Sequence, residues 1–453
     1  MRDIIAAIAT GHSPCAIGIL RLSGPDCARV AGQVFTPDNG KSLWEIPPHK
    51  MVIGTLRDRQ GRVIDQALAV RCAAPRSYTG EDTVELQCHG SPAMLAAALE
   101  ALFAAGARQA GPGEFTKRAF LNGQLDLTQA EAVIDLIHAE TADAAANAAG
   151  QLGGTLLKKI QPVYSALTDL CSHFHAVLDY PDEDIEDFRI SEFSAVLDAS
   201  KRDLDALLAT YEHGKHLKQG IKTVLLGRPN AGKSSLFNAL AGYDRVIVTE
   251  IPGTTRDTVE ETVTVGKVLL RLIDTAGIRE ASDRIEAMGV ERSQAAAESA
   301  ELAIFVCDGS QPLNEEDRRA IEVARKAPAS IAILNKSDLG CVVDIGDLPF
   351  ENILSLSAQT GANLGSLQVF LEDRYGRELH CDGSLLTNAR QFGAIHSAVQ
   401  AIDRARSSLL LGLTPDAVLT DVEDAMSALG EVTGTTVRED ITNRIFERFC
   451  VGK

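Results

Sequence analysis

The residues Gly227-Arg228-Pro229-Asn230-Ala231-Gly232-Lys233-Ser234, with Asn335-Lys336-Ser337-Asp338 further along, have the types and spacing needed to hold a nucleoside triphosphate and read its base. The glycines of the first run let backbone N–H groups turn inward around phosphate oxygens. Lys233 can reach the β and γ oxygens, and the Ser234 hydroxyl can complete a magnesium shell. Asn335 and Asp338 can accept and donate along a guanine edge, with Asp338 pairing to N1–H and the exocyclic amine. Adenine lacks that donor pattern and would leave a carboxylate unpaired. Ser357-Ala358-Gln359-Thr360-Gly361 supplies a loop behind the base. The set points to GTP and excludes an ATPase.

Two intervening segments fall where switches belong. Asp274-Thr275-Ala276-Gly277 places an aspartate that can hold magnesium through water and a glycine amide that can sense the γ-phosphate. Within Gly253-Thr254-Thr255-Arg256-Asp257, the Thr255 hydroxyl can join the metal when GTP is present. Ile278 follows Gly277, so the glutamine that orients the attacking water in Ras-type switches is missing. Any of several carboxylates in Arg279-Glu280-Ala281-Ser282-Asp283-Arg284-Ile285-Glu286 could do that work. Asn230 could offer an amide oxygen to a monovalent cation beside the phosphates, where an arginine finger stands in other GTPases.

These residues need a strand–loop–helix frame. Thr223-Val224-Leu225-Leu226 reads as the strand before the phosphate loop, Ser235-Leu236-Phe237-Asn238 opens the helix after it, and Leu269–Ile273 reads as the strand delivering Asp274. Upstream, Ala16–Leu22 and Val63–Val70 read as strands and Met94–Leu102 as a helix, giving a small α+β domain. Helical periodicity then takes over, with Leu156, Ile160, Val163, Leu167, Leu170, Phe174 and Val177 at steps of three and four. It returns after Tyr375 with Ile395, Ala398, Val399, Ile402 and Ala405, then Val418, Val422, Ala425 and Leu429. Neither helical half is large enough to hide its own apolar stripe, so we read one helical domain interrupted by an inserted module. The expected fold class is multidomain α/β. Residues 1–120 form the α+β domain, 121–220 and 377–453 the two parts of an all-α domain, and 221–376 a Ras-like P-loop GTPase domain.

Bulk properties agree. The 453 residues suffice for about three domains, and 45% hydrophobic content gives each an ordinary core. A net charge of −18 and a pI near 5.0 argue against a surface that grips nucleic acid or anionic lipid indiscriminately. Nine scattered cysteines show no zinc or redox spacing and fit a reducing compartment. The apolar start is too short for a signal peptide and no run approaches a membrane span, so a cytoplasmic location is expected. His173 and His175 point to different helix faces and make a poor metal pair. The acidic run Asp179–Asp187 reads as a solvated connection. Cys450 is a thiol near the chain end, with Lys453 close enough to favour the thiolate.

The whole chain resembles the TrmE (MnmE) family of tRNA-modification GTPases. The likeness rests on Ile17–Gly24, Tyr78–Gln87, Gly111–Gly123, Leu125-Asp126-Leu127 with Gln129–Ala132, the GTPase motifs, and the terminal Phe449-Cys450-Val451-Gly452-Lys453. The resemblance implies a homodimer joined through N-terminal domains of folate-binding type, holding a 5-formyl-tetrahydrofolate-type cofactor. Arg21, Glu85, Gln124 and Lys453 match its cofactor-contacting positions. Gln124 departs from the basic residue the family usually places there. The resemblance further assigns K⁺ to Asn230, Thr249, Ile251 and Thr254, with Ile251 acting through its backbone, and Mg²⁺ to Ser234 and Thr255. It makes Glu286 the residue that orients the water, and gives Cys450 a part in the chemistry. Two GTPase modules would meet face to face in the presence of GTP and potassium. It implies a heterotetramer with the flavoprotein MnmG (GidA), adding a carboxymethylaminomethyl or aminomethyl group at C5 of the wobble uridine of certain tRNAs. A ribosome-assembly GTPase, the rival from another class, would add a basic RNA-binding domain in place of this acidic one.

Overall fold

The computed structural model describes residues 3–11, 13–179, 190–243, 261–273, 294–376, 381–436, 439–447 and 449–452. The chain divides into two compact units. One comprises Met1–Ile134, Gln151–Lys201 and Ala394–Lys453; the other comprises Asp135–Gly150 and Arg202–Gly393. The architecture is multidomain α/β, with an N-terminal α+β domain, helical segments and a P-loop α/β domain.

In the first unit, strands β1 (Ile5–Ile8), β2 (Cys15–Ser23), β3 (Phe35–Pro37), β4 (Val52–Arg57), β5 (Val63–Cys72), β6 (Thr83–Gly90) and β7 (Arg108–Gln109) form one sheet. Its order is β3-β4-β5-β6-β2-β1-β7, antiparallel except where β1 meets β7. Period-two alternation decides which face is buried: β4 reads Val52-Ile53-Gly54-Thr55-Leu56-Arg57, with every other residue inside. Helices Cys27–Val34 and Pro92–Ala104 cover that face, packing Val30, Val34, Leu95 and Leu102 onto Leu20, Leu22, Leu56 and Leu86. On the opposite face, Ala110 and Phe115, the latter from helix Glu114–Leu121, cover Ile5 and Ala7 of β1, and Arg21 of β2 lies against Phe115 and Tyr78. Toward β4 and β5 that face carries exposed apolar side chains. Ile53 and Leu68 pair directly across β4 and β5 yet stay 54% and 37% exposed.

The helical stripe forms as its spacing predicts. Leu156, Ile160, Val163, Leu167, Leu170 and Phe174 of helix Thr155–Asp179 are all buried, and this helix packs on Pro415–Thr433. After helix Glu439–Phe446, Phe449 joins Phe120 and Phe446 in a small aromatic cluster, and Val451 makes a β-bridge to Pro112. Gly452 closes the dock at φ +102, where a Cβ would lie 2.3 Å from the Ile8 carbonyl. Gly452→Ala should therefore undock the tail. The Gly113 amide, which donates to the Cys450 carbonyl at 3.3 Å, should then exchange its hydrogen at least ~10-fold faster, because left-handed strain alone costs about 1–2 kcal/mol. Unchanged exchange would mean the tail is held by the phenylalanines alone.

In the second unit, β8 (Ile221–Leu226), β9 (Glu261–Val265), β10 (Val268–Ile273), β11 (Leu302–Asp308), β12 (Ala329–Asn335) and β13 (Ile353–Ser355) order as β13-β12-β11-β8-β10-β9. All pairs are parallel except β9 with β10. A parallel sheet is covered on both faces, and β11 shows it: every residue is buried. Leu302, Ile304 and Val306 face Leu236, Leu240, Leu367 and Leu371, whereas Ala303, Phe305 and Cys307 face Ala297, Ile321 and Ala324. The chain enters this sheet from helix Tyr211–Gln219 through one residue, Gly220. After the sheet, a buried strap is pinned to helices. Asn147 Oδ1 accepts from the Gly383 and Leu385 amides at 3.1 and 3.3 Å, and Thr210 Oγ1 accepts from the Leu386 amide at 3.0 Å.

Candidate functional site

The carboxyl ends of β8, β11 and β12 converge, and the loops leaving them build the nucleotide site. Following β8, Gly227 adopts φ +147 with its would-be Cβ 2.0 Å from the Val306 carbonyl, Asn230 is left-handed at φ +61, and Gly232 lies at φ +98. These angles roll the loop so that it feeds directly into helix Lys233–Tyr243. Ser234 and Ser235 are exposed on the first turn, whose N–H groups and dipole favour an anion. Lys233 Nζ donates to the Gly227 and Arg228 carbonyls at 2.6 and 2.9 Å. Burial pushes its ammonium below the ordinary lysine value, opposed by the carboxylate of Asp317. A phosphate would give this ammonium the negative partner that its own surroundings supply only weakly. Behind the loop, Arg228 Nη2 donates to Gln311 at 2.9 Å and its Nε lies 3.6 Å from the buried Asp317. Asn230 is exposed and Ala231 buried.

The base-reading loop is tied to the phosphate loop by one side chain. Asn335, at the end of β12, is buried; its Nδ2 donates to the Ala231 carbonyl at 3.0 Å and its Oδ1 accepts from the Ala358 amide at 2.9 Å. Both polar ends are thereby engaged within the protein, while Asp338 is exposed on the 3₁₀ turn Ser337–Leu339. Ser357, buried, accepts the Thr360 amide at 3.2 Å and shapes the loop behind. Lys336 is left-handed at φ +62 and reaches back to Asp308. Asp308 carries no motif spacing that would single it out in the sequence.

Thus 230–235, 335–338 and 357–358 come together in one site. Thr249, Ile251, Thr254, Thr255, Asp274, Thr275, Ala276, Gly277, Glu286 and Lys453 lie outside the described residues.

A second constellation sits on the first unit. Arg21 of β2 stands opposite Glu85 of β6 in register and donates Nε to its carboxylate at 2.8 Å. The guanidinium lies over the rings of Tyr78 and Phe115 at 5.4 and 5.7 Å. Tyr78 and Thr116 share a hydroxyl hydrogen bond of 2.9 Å, and burial raises the tyrosine's pKa. Gln124 is exposed beside Gly80, where a Cβ would meet its Cγ at 3.1 Å. Cys450 is exposed, with its carbonyl bound to Gly113. The surrounding ion network was not legible from sequence: buried Glu81 accepts from Arg118 at 2.9 Å, and Arg118 also pairs with Asp3 and Glu114. Among the described residues no cluster of acidic, histidine or cysteine side chains forms a metal cage, and no helix is long and apolar enough to cross a membrane.

A sheet of this order, with a phosphate loop after β8 and an Asn-Lys-x-Asp loop after β12, defines a P-loop protein of the GTPase class. The family model described as GTP-binding protein TrmE N-terminus matches residues 4–124, and that described as MnmE helical domain matches 127–450. Proteins named tRNA modification GTPase MnmE align over 100% of this chain. That of Roseiflexus sp. (strain RS-1) is 42% identical with 99% of its length covered, that of Aquifex aeolicus (strain VF5) 40% with 100%, and that of Lactobacillus delbrueckii subsp. bulgaricus 40% with 98%. The chain belongs to the MnmE (TrmE) family.

Proposed function

We propose that this chain is a potassium-dependent GTPase that acts in the cytoplasm on the wobble uridine of certain tRNAs, as a homodimer working with an MnmG-type flavoprotein. The observation that carries the reading is the Asn335 latch: one buried amide fixes the phosphate loop and the Ala358 loop together and leaves Asp338 free to read guanine. The names of the relatives supply the tRNA role.

Among the described residues, Asn230, Ser234 and Arg21 have the chemistry this reading needs. Asn230, left-handed and exposed on the phosphate loop, would offer its amide oxygen to potassium in company with Thr249, Thr254 and the Ile251 backbone, and Ser234, exposed on the first helical turn, would hold magnesium with Thr255. Both ions supply positive charge against the phosphates. Glu286 orients the attacking water, and pairing of two modules lowers the entropic cost of fixing the switches. Arg21 keeps two guanidinium nitrogens beyond the one bound to Glu85, enough to hold a folate carboxylate, with Gln124 and Lys453 completing the contact set. The folate supplies a one-carbon unit. Cys450 is presented on a docked tail, with its side chain exposed. The open Ile53–Leu68 face suits self-association of the N-terminal sheet.

GTP hydrolysis by the purified chain should run at least ~10-fold faster in potassium than in sodium, as removal of one transition-state charge predicts. Glu286→Ala should lose ~100-fold in turnover while keeping nucleotide affinity, and should abolish wobble modification. Equal rates in both salts would overturn the cation reading; normal modification with hydrolysis gone would overturn the coupling.

A further inference from the structure

Asn335, Lys336 and Asp338 of the base-reading loop are held in different ways. Asn335 is spent on the latch and Asp338 faces solvent. Lys336 does neither: its ammonium turns back into the protein and donates to Asp308 Oδ2 at 2.7 Å. Asp308 terminates β11 and its side chain is 5% exposed. The other carboxylate oxygen, Oδ1, accepts from the Ser310 amide at 3.0 Å and the Ser310 hydroxyl at 2.6 Å. Burial works against ionisation, but the bonds from Lys336 and Ser310 outweigh it and hold the carboxyl below the usual range. The carboxylate is therefore fixed in orientation by its own turn, with one oxygen aimed at the lysine.

A lysine on a surface loop ordinarily keeps its head in water and its stem mobile. Here both ends of the Lys336 side chain are fixed, the Cα by a left-handed backbone next to the latch and the Nζ by a buried anion. The stem between them, tethered at both ends and partly exposed, can serve as a preformed apolar wall beside the latch residue. A flat ring packing on such a wall does not have to freeze it.

We propose that Asp308 is a positioning residue for guanine-nucleotide retention, acting through Lys336 to hold the apolar wall of the base pocket. This rests on the guanine-nucleotide reading above and adds to it a residue outside the nucleotide motifs. Asp308→Asn is the informative substitution, because Oδ1 can still accept from Ser310 while the nitrogen replacing Oδ2 sets a donor against a donor.

The test is release of radiolabelled GDP from the full chain. Asp308→Asn should release GDP ~10-fold faster than the parent, Lys336→Met should do the same, and the double variant should be no faster than either single one. A merely structural role for Asp308 would instead speed release again in the Lys336→Met background, and that result would overturn the proposal, as would unchanged release in Asp308→Asn. Should Asp308→Asn fail to fold, Lys336→Met decides alone, since it keeps an apolar stem and removes only the tether: release at the parent rate would overturn the proposal. A parent chain that retains no GDP would sink the guanine reading itself, and the inference with it. Retention by the parent with an unaltered Asp308→Asn would sink the inference only.

Discussion

Replacing Gly232 by alanine is expected to weaken guanine-nucleotide binding by at least ~100-fold. Two effects add. The backbone at φ +98 is one that L side chains rarely adopt, at a cost of about 1–2 kcal/mol. The new Cβ would also stand 2.0 Å from Asn335 Nδ2, so the amide that ties the phosphate loop to the Ala358 loop must swing away. A buried amide left unpaired costs about 1–3 kcal/mol. Together these reach roughly 3 kcal/mol, or a factor of ~100. Gly242→Ala makes a control in the helix that follows the loop, because nothing lies within 4 Å of its added methyl and a compatible Gly→Ala exchange stabilises by about 0.4–1 kcal/mol. Calorimetric titration with GDP measures both. Equal affinities for the two variants would show that the latch does not hold the phosphate loop in its binding shape.

Asp338→Asn is expected to lower GDP affinity by ~100-fold and to raise affinity for xanthosine diphosphate. The carboxylate offers two acceptors to the N1–H and the exocyclic amine of guanine, and such charge-assisted bonds are about twice as strong as neutral ones. The carboxamide turns one acceptor into a donor, which clashes with the guanine amine and matches the C2 oxygen of xanthine. Because Asp338 is exposed on a single 3₁₀ turn, the melting behaviour should hardly move, with stability within ±0.5 kcal/mol. Competition between the two diphosphates measures the switch. A variant that still prefers GDP would place the base-reading carboxylate elsewhere.

What was legible in the sequence was whatever a local pattern encodes. The apolar run Thr223–Leu226 becomes the core of β8, and Leu269–Ile273 all but the first residue of β10. The three- and four-residue steps from Leu156 to Phe174 become the buried stripe of one helix. The phosphate loop is local too, since its glycines must supply angles that other residues resist. Partners distant in sequence left no such mark. Asp308 meets Lys336 only because β11 and β12 are parallel neighbours ending side by side. Gly452 needs Ile8 to explain it, and Asn147 needs a strap that follows the whole second sheet. The sequence also marks Asn335 and Asp338 as a pair without revealing that the first is spent on the protein and the second left for the ligand.

Gly220 gives the second sheet its mechanical character. With a single residue between helix Tyr211–Gln219 and β8, and with a would-be Cβ 3.1 Å from the Leu269 carbonyl of β10, the joint has no slack in length and little in angle. Glu301, just ahead of β11, bonds both Lys215 and His216 of that helix at 3.1 and 2.7 Å. A rod clamped at its tip and along its side turns with whatever it is clamped to. Any tilt of β8 beneath the phosphate loop must therefore swing helix Tyr211–Gln219 as a crank rather than be absorbed in a flexible tether.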